Sequence, residues 1–297
     1  MEAFRNNMTV LTNNPGKLLL LLIAIIALLG GIAACSPLKV INAFSSGRAS
    51  SVTQGLAYGS HTRQQLDIYT PVSNTGANGQ TGAPVVVFFY GGNWSTGDRA
   101  DYAFVGHALA SRGIVAVIAD YRLYPEIVYP HFLDDSAQAL AWTVRHVAEH
   151  GGDPQQLFVM GHSAGAYNAA MLALDPRWLA NQGLPQEKMA LLRGWIGLAG
   201  PYNFIPIENK ATRLVFPYPQ TPANSQPIYH VSAAMPPALL IAASEDTLVN
   251  PQRNSGALAN AYRALGVPVI EHYFDRVSHA TLVASLAGPL RKLAPTL

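Results

Sequence analysis

Residues 157–172 read LFVMGHSAGAYNAAML and are the most informative part of the sequence. It opens on an apolar run typical of a buried strand and closes on residues 166–172, which are typical of a helix. Between them Gly161 and Gly165 flank Ser163, and these two glycines allow a tight turn around a serine in a strained backbone conformation. Such a Gly-x-Ser-x-Gly turn is a nucleophile elbow, which presents a serine hydroxyl at the carboxyl end of a strand. The sequence therefore predicts Ser163 as a nucleophile.

Apolar runs and helical patterns alternate on both sides of this stretch. Residues 84–90 form a continuous apolar run rich in β-branched side chains, which is typical of a strand buried on both faces of a sheet. The other strands are predicted at 66–69, 114–119, 157–160, 194–198, 238–242 and 269–274. Further helices are predicted at 102–111, 136–150, 252–265 and 280–287. This alternation predicts an α/β fold with a mostly parallel central sheet and helices on both faces.

Shifts in composition indicate the domain organisation. Serine-rich residues 35–54 are predicted to form a linker, and the folded domain is expected over 55–297, beginning near Gly55. Within it, residues 201–236 carry many prolines and aromatic side chains without periodicity, so they are predicted to form a small cap or lid over the site. A hydrophobic content of 49% in 297 residues suits one large core.

Charge and cysteine content argue against several classes of function. The net charge of +2 is nearly balanced and no run of Lys or Arg occurs, which argues against a nucleic-acid partner. The single cysteine, Cys35, rules out an intramolecular disulfide bond, and the sequence has no Cys/His cluster of the zinc type. No cofactor is indicated, and we expect the partner at the site to be a small molecule.

Residues 1–34 have the features of an export signal. Arg5 and Lys17 precede an uncharged, almost wholly apolar run at 18–34. The run ends in Ile32-Ala33-Ala34-Cys35-Ser36, which is similar to the bacterial lipobox of an aliphatic residue and two small residues before a cysteine. The resemblance implies a lipid on Cys35 and an exported protein anchored to a bacterial membrane, the outer membrane where the organism has one.

Two alternatives to lipidation remain open. The apolar run is close to the lower length limit for spanning a bilayer, so an uncleaved N-terminal anchor is one of them. A plain cleaved signal is the other.

A serine nucleophile needs a base and an orienting acid, which in this kind of fold follow it in the order Ser, acid, His. Histidine is the natural base near neutral pH, and a carboxylate fixes its tautomer. Asp246 follows a late predicted strand and is the predicted acid, with adjacent Glu245 as the open alternative. His279 lies between the last predicted strand and the last helix and is the predicted base.

A tetrahedral intermediate carries a negative oxygen, which needs preorganised N–H donors. Ala164, directly after the nucleophile, can supply one donor. The loop after the strand at 84–90 reads Tyr90-Gly91-Gly92-Asn93-Trp94, and its glycines allow the backbone to approach a ligand closely. Gly92 and Asn93 are therefore predicted to complete an oxyanion hole.

Together these motifs resemble the esterase/lipase group of α/β-hydrolases related to hormone-sensitive lipase. Within that group the chain is most similar to the carboxylesterase, feruloyl-esterase-like and kynurenine-formamidase-like branch. The resemblance covers residues 55–290 and rests on 66–71, 90–94, 120–123, 151–154, 161–165, Asp246 and His279. It implies the α/β-hydrolase fold and a serine carboxylesterase.

The chain departs from the family pattern at several positions. Tyr90 stands where the group usually has His, and Asn93 stands where one version has a third glycine, so the loop geometry and the acceptance of bulky alcohols are in question. His162 replaces the Asp common in hormone-sensitive-lipase relatives, which favours the formamidase-like branch, and it is predicted to point away from the nucleophile. Arg122 and Asp135 match family positions, and we expect them to form a buried ion pair.

The predicted function is hydrolysis of small to medium carboxylic esters through an acyl-enzyme. An arylformamidase-like amide hydrolase is the alternative within the same chemistry, and a catalytically inactive binding lipoprotein is the alternative from another class. Five aromatic residues in the predicted cap either line an aromatic-tolerant pocket or pack the cap: Tyr202, Phe204, Phe216, Tyr218 and Tyr229.

Overall fold

The computed structural model describes residues 50–72, 82–184 and 192–291, together with Leu38, Ile41 and Asn42. The chain divides into two units, Met1–Phe44 and Ser45–Leu297, and the fold reported below belongs to the second. The predicted signal segment 1–34 and the predicted lipidation residue Cys35 lie outside the described residues. Among the described residues, no helix has both the length and the apolar character needed to cross a bilayer.

One eight-stranded sheet organises the second unit. Its strands, in chain order, are β1 Ser50–Ala57, β2 Gln65–Pro71, β3 Ala83–Phe89, β4 Val115–Ala119, β5 Gly152–His162, β6 Leu192–Leu198, β7 Ala238–Ala243 and β8 Val269–Phe274. The spatial order is β1-β2-β4-β3-β5-β6-β7-β8. β2 runs antiparallel to both neighbours, whereas the strands from β3 to β8 pair in parallel. The predicted α/β fold with a mostly parallel sheet is confirmed.

The described residues of the second unit form seven α-helices: α1 Ala103–Ala110, α2 His131–His146, α3 Ala164–Leu174, α4 Arg177–Asn181, α5 Thr212–Val215, α6 Ala257–Ala264 and α7 His279–Ala284. All five residues of β4 are buried, and because alternate side chains of a strand point to opposite faces, both faces of the sheet are covered there. Three of the predicted helices extend beyond the observed α-helices. The extra residues belong to 3-10 turns at Arg99–Tyr102 and Val147–His150 and to a π turn at Gln252–Gly256.

The first strand corrects the predicted start of the domain. Residues 50–54, predicted as linker, belong to β1, which pairs with β2. Most side chains of β1 are exposed, and the register shifts between Thr53 and Leu56, next to Gly55 with φ 69°. An exposed, polar edge strand with a bulge lacks the apolar alternation by which strands are recognised in a sequence.

The predicted Arg122–Asp135 contact is present. The guanidinium donates from Nη2 to Asp135 Oδ1 at 2.7 Å and from Nε to Oδ2 at 2.9 Å. Asp135 is 1% exposed on α2, whereas the Arg122 side chain is 27% exposed, so only the carboxylate is fully buried. Gln64 also donates to Asp135 Oδ1, at 2.9 Å.

We expect Arg122→Met to lower the free energy of unfolding by about 2 to 3 kcal/mol, because it leaves a buried carboxylate without its cation. The loss stays below the value for a fully buried pair because water reaches part of the guanidinium. Urea denaturation of the variant beside Arg145→Met, which removes an exposed arginine, measures the effect. Equal stability of the two variants would contradict a structural role for the ion pair.

Candidate active site

The elbow is shaped by contacts that only glycine allows. Ser163 follows β5 and opens α3 with φ 54° and ψ −120°, a strained conformation for a residue with a side chain. A Cβ on Gly161 would lie 2.1 Å from the carbonyl oxygen of Gly165, and a Cβ on Gly165 would lie 2.0 Å from that of Phe89 in β3. The Ser163 N–H donates to the Leu198 carbonyl at 2.8 Å, which ties the elbow to the end of β6.

The structure brings the three predicted catalytic side chains into one hydrogen-bonded chain. Asp246 lies in the loop after β7, and His279 is the first residue of α7, just beyond β8. His279 Nε2 lies 2.8 Å from Ser163 Oγ, and its Nδ1 lies 2.7 Å from Asp246 Oδ2. Glu245, the alternative acid, is exposed. The geometry therefore favours Asp246 as the partner of the histidine.

Asp246 is held in its ionised form. Burial alone raises the pKa of the Asp246 carboxyl, but hydrogen bonds from His279 and from the N–H groups of Val249 and Leu248 outweigh burial and lower the pKa overall. The two amides donate to Oδ1 at 3.0 and 2.9 Å, which leaves Oδ2 for the imidazole. A carboxylate fixed in this way orients the ring and stabilises its protonated form.

A capping box positions His279 at the start of α7. Ser278 Oγ accepts from the Thr281 N–H, and Thr281 Oγ1 accepts from the Ser278 N–H at 2.7 Å. This reciprocal pair fixes where the helix begins, and hence the direction of the residue that follows the cap. The Ser-x-x-Thr spacing is visible in the sequence and is the signal from which this cap could have been predicted.

The predicted oxyanion loop has an unusual backbone conformation. Gly92, Asn93 and Trp94 all have positive φ, at 122°, 51° and 55°. The Gly92 carbonyl accepts from the N–H groups of Ser95 and Thr96 at 3.0 and 3.1 Å, which closes the loop on itself. The amides of Gly92 and Asn93 have no hydrogen-bond partner among the described residues.

The third predicted donor lies next to the nucleophile. Ala164 is the first residue of α3, where a backbone N–H has no partner within the helix. Ala164, Gly92 and Asn93 line the same cavity as Ser163. All three predicted donors therefore border the space in front of the serine.

Tyr90, which stands in place of the family histidine, fixes the strand end from which the predicted oxyanion loop begins. Its hydroxyl donates to Asp120 Oδ1 at 2.9 Å and accepts from Arg63 Nη2 at 3.0 Å. The Tyr121 hydroxyl donates to the Tyr90 carbonyl at 2.7 Å, and the two rings stack with centroids 4.8 Å apart. Asp120 also pairs with Arg99. The strand end that carries the loop is therefore fixed by buried polar contacts as well as by ring packing.

His162 forms a hydrogen bond with the main chain of the predicted base. Its Nε2 lies 2.9 Å from the main-chain oxygen of His279, and since a carbonyl only accepts, Nε2 carries the proton. Burial, reinforced by the nearby His279 ring, lowers the pKa of His162 to about 3. The ring is therefore neutral near pH 7, and its Nδ1 has no partner among the described residues. The hydrogen bond of His162 is therefore made to the main chain of His279, the predicted base.

The lowered pKa of His162 makes stability depend on pH. Between the pKa of an unfolded histidine, about 6.5, and the folded value of about 3, the unfolded state binds a proton that the folded state does not, so stability falls as pH falls. From about pH 7 to about pH 5 we expect the wild type to lose about 2 kcal/mol more than His162→Gln, which keeps an N–H donor but does not titrate.

Urea denaturation at the two pH values measures this difference. His131→Gln, which removes an exposed histidine of α2, serves as the control and should follow the wild type. A pH dependence that is the same in His162→Gln and in the wild type would show that His162 is not the group responsible.

The triad opens into a cavity of about 830 Å³. Its wall comes from the oxyanion loop, the elbow, the acid loop, the π turn and the first third of segment 201–236. Of the five aromatic residues predicted to line a pocket or pack the cap, only Phe204 lines this cavity. Tyr202 packs on Trp195 and Phe216 lies in a cluster around Trp94, whereas Tyr218 and Tyr229 are exposed. Of the two alternatives, lining the pocket therefore holds for Phe204 alone of these five residues, because the other four side chains fill the interior or face solvent.

Within the described ranges, no three His, Cys, Asp or Glu residues are grouped so that they could hold a metal ion.

The sheet order and the nucleophile elbow after β5 define an α/β-hydrolase fold, which confirms the predicted fold class. Residues 66–262 match the BD-FAE family model, and the chain belongs to that family.

Relatives that are named as esterases resemble the chain along most of its length. The isoprenylcysteine alpha-carbonyl methylesterase ICME of Arabidopsis thaliana is 27% identical over 270 residues, covering 84% of this chain and 61% of that protein. The probable carboxylic ester hydrolase LipM of Mycobacterium tuberculosis is 29% identical over 251 residues, covering 76% and 57%. The chain thus spans less than two thirds of either relative.

A solved structure supports the fold independently. An inhibited esterase B from Lactobacillus rhamnosis superposes with a TM-score of 0.71 and covers 92% of each chain. At 19% sequence identity, this likeness concerns the fold alone.

Proposed function

We propose that this protein is a serine carboxylic-ester hydrolase that acts on small to medium esters through an acyl-enzyme intermediate. The observation that carries the proposal is the unbroken chain from Asp246 through His279 to Ser163, with distances of 2.7 and 2.8 Å, at the wall of an open cavity. A nucleophile in contact with a base, and a base in contact with an orienting acid, is the arrangement that activates a serine hydroxyl.

In the first half of the reaction, Ser163 Oγ attacks the ester carbonyl carbon while its proton passes to His279 Nε2. The carbonyl oxygen becomes an oxyanion, which accepts hydrogen bonds from the N–H groups of Gly92, Asn93 and Ala164. The tetrahedral intermediate then collapses. The bond to the alcohol oxygen breaks, that oxygen takes the proton from Nε2, and the acyl group remains on Ser163.

In the second half, water replaces the alcohol. His279 Nε2 takes a proton from the water as its oxygen attacks the acyl carbon, and the same donors stabilise the second oxyanion. Collapse breaks the bond to Ser163 Oγ, which recovers its proton from Nε2. The balance is one ester and one water consumed, and one acid and one alcohol released.

The catalytically inactive alternative predicts a broken site. Each predicted member of the triad makes the contact that its role requires, and the oxyanion amides remain available, so this alternative has no observation in its favour. The arylformamidase-like alternative uses the same triad on an amide carbonyl, and turnover of formanilide beside an ester separates the two.

We expect the full-length protein to hydrolyse p-nitrophenyl acetate, butyrate and octanoate, with rates that report the depth of the pocket. Ser163→Ala should lower kcat/KM by about 10⁴-fold or more, and Asp246→Asn by about 10³- to 10⁴-fold, because the latter loses the group that holds the imidazole tautomer. Glu245→Gln changes the adjacent exposed carboxylate and should stay within about twofold of the wild type.

Turnover that survives Ser163→Ala would contradict the proposed nucleophile. A loss in Glu245→Gln as large as that in Asp246→Asn would contradict the proposed acid. Turnover of formanilide but of no ester would move the assignment to an amide hydrolase.

We propose in addition that Cys35 carries a lipid that anchors the protein to a bacterial membrane. The support is the sequence alone: the apolar run at 18–34 and the small residues directly before the cysteine. In a bacterial host fed labelled palmitate, the wild type should take up label and fractionate with membranes, whereas Cys35→Ala should take up none. An unlabelled wild type held in the membrane would instead indicate an uncleaved anchor.

A further inference from the structure

Among the described residues that line the cavity, Arg253 is the only arginine or lysine, and its backbone is unusual. Arg253 lies in the π turn Gln252–Gly256, shortly after the loop that carries Asp246. Such turns recur at functional sites. Asn250 Oδ1 accepts from the Arg253 N–H at 2.9 Å, and Asn254 Nδ2 donates to the Asn250 carbonyl at 2.9 Å. Two hydrogen bonds with Asn250 therefore fix the backbone of the turn that carries Arg253.

A hydrogen bond to a main-chain carbonyl fixes the position of the Arg253 guanidinium. Arg253 Nη2 donates to the Ile205 carbonyl at 2.7 Å, and Nη1 lies 3.3 Å from Glu208 Oε1. An arginine has five N–H donors, and these are the two side-chain contacts that it makes within the described residues. The group is positioned, but most of its donors remain available.

Few other charges face the cavity. Among the described lining residues, the ionisable side chains are Arg253, Glu208, Asp246, His162 and His279. The Asp246 carboxylate is buried and bonded to His279 and to two amides, and His162 is neutral. Apart from His279 of the proposed triad, Arg253 and Glu208 are therefore the ionisable side chains that a ligand in the cavity can meet directly.

The contact between these two charges is weak. The Glu208 side chain is 81% exposed and the Arg253 side chain 33% exposed, and ion pairs with such exposure contribute little. A carboxylate on a ligand can therefore take the place of Glu208. A guanidinium matches a carboxylate with two parallel hydrogen bonds, which makes arginine well suited to recognise that group.

We propose that Arg253 is a specificity-determining residue that binds a carboxylate on the substrate, so that the protein favours esters with a second, ionised carboxyl group several bonds from the scissile ester. The proposal rests on the proposed ester hydrolysis and names a substrate class for it. Ser163 and Arg253 border the same cavity of about 830 Å³, which has room for both ends of such a molecule.

The test compares each carboxylate ester with a neutral isostere in which a methyl ketone replaces the carboxylate. Monoethyl succinate is paired with ethyl levulinate, and monoethyl adipate with ethyl 6-oxoheptanoate, for a carboxylate on the acyl side. For a carboxylate on the alcohol side, 4-acetoxybutanoate is paired with 5-acetoxypentan-2-one. The readout is the ratio of kcat/KM within each pair for the full-length protein, so intrinsic differences in reactivity cancel between variants.

Two variants should move this ratio in opposite directions. Arg253→Gln keeps a donor for the Ile205 carbonyl but loses the charge, and the ratio should fall about tenfold in at least one arm, as expected for one charge-assisted contact. Glu208→Gln removes the competing carboxylate, and the ratio should rise about twofold. Raising the salt concentration from about 0.05 M to about 0.5 M should lower the wild-type ratio, because the contact is partly exposed.

The control is Arg213→Gln, which removes an arginine of α5 that stacks on Tyr218 and is not among the described lining residues of the cavity. Its ratios should equal those of the wild type. Ratios that are unchanged in Arg253→Gln, or that fall equally in Arg213→Gln, would overturn the inference.

The neutral ketone esters keep this test separate from that of the proposed function. If the wild type hydrolyses them and Ser163→Ala does not, ester hydrolysis stands whatever the ratios are. Absence of turnover on every ester would contradict the proposed function and the inference together.

Discussion

The site depends on the close approach of the elbow to the end of β3. A Cβ on Gly165 would lie 2.0 Å from the Phe89 carbonyl oxygen, and one on Gly91 would lie 2.9 Å from both Ser163 Cβ and His162 Nδ1. These distances leave no room for a side chain at either glycine. Because the backbones touch, the loop that begins at Gly91 is brought beside the nucleophile, and nucleophile and oxyanion donors share one wall of the cavity.

Electrostatics then give the ionisable side chains around Ser163 different tasks. The Asp246 carboxylate is buried and ionised because three hydrogen bonds compensate its burial. His162, one residue before the nucleophile, is buried without a charged partner and stays neutral, so it serves as a fixed donor to the main chain of His279. Two imidazoles with ring centroids 5.1 Å apart therefore act differently, one as a proton carrier in the proposed reaction and the other as a support.

Much of this arrangement could be predicted from the sequence, because the parallel strand order places the ends of β5, β7 and β8 at one edge of the sheet. The elbow, Asp246 and His279 follow those strand ends, so their meeting follows from the alternation of elements. Other parts carry no local signal: β1 is an exposed edge strand, and the role of Tyr90 depends on Asp120 and Arg63, which are distant in sequence. The position of Arg253 depends on a π turn, and the spacing of apolar residues does not distinguish such a turn from an ordinary α-helix.

In the proposed reaction His279 and Asp246 activate Ser163, and covalent labelling tests this activation most directly. The full-length protein is treated with a fluorescent alkyl phosphonofluoridate, and peptides are mapped by mass spectrometry beside Ser163→Ala and His279→Gln. We expect one adduct, on Ser163, that is absent from Ser163→Ala and forms far more slowly in His279→Gln. Labelling of another residue, or of Ser163 at an equal rate in His279→Gln, would contradict it.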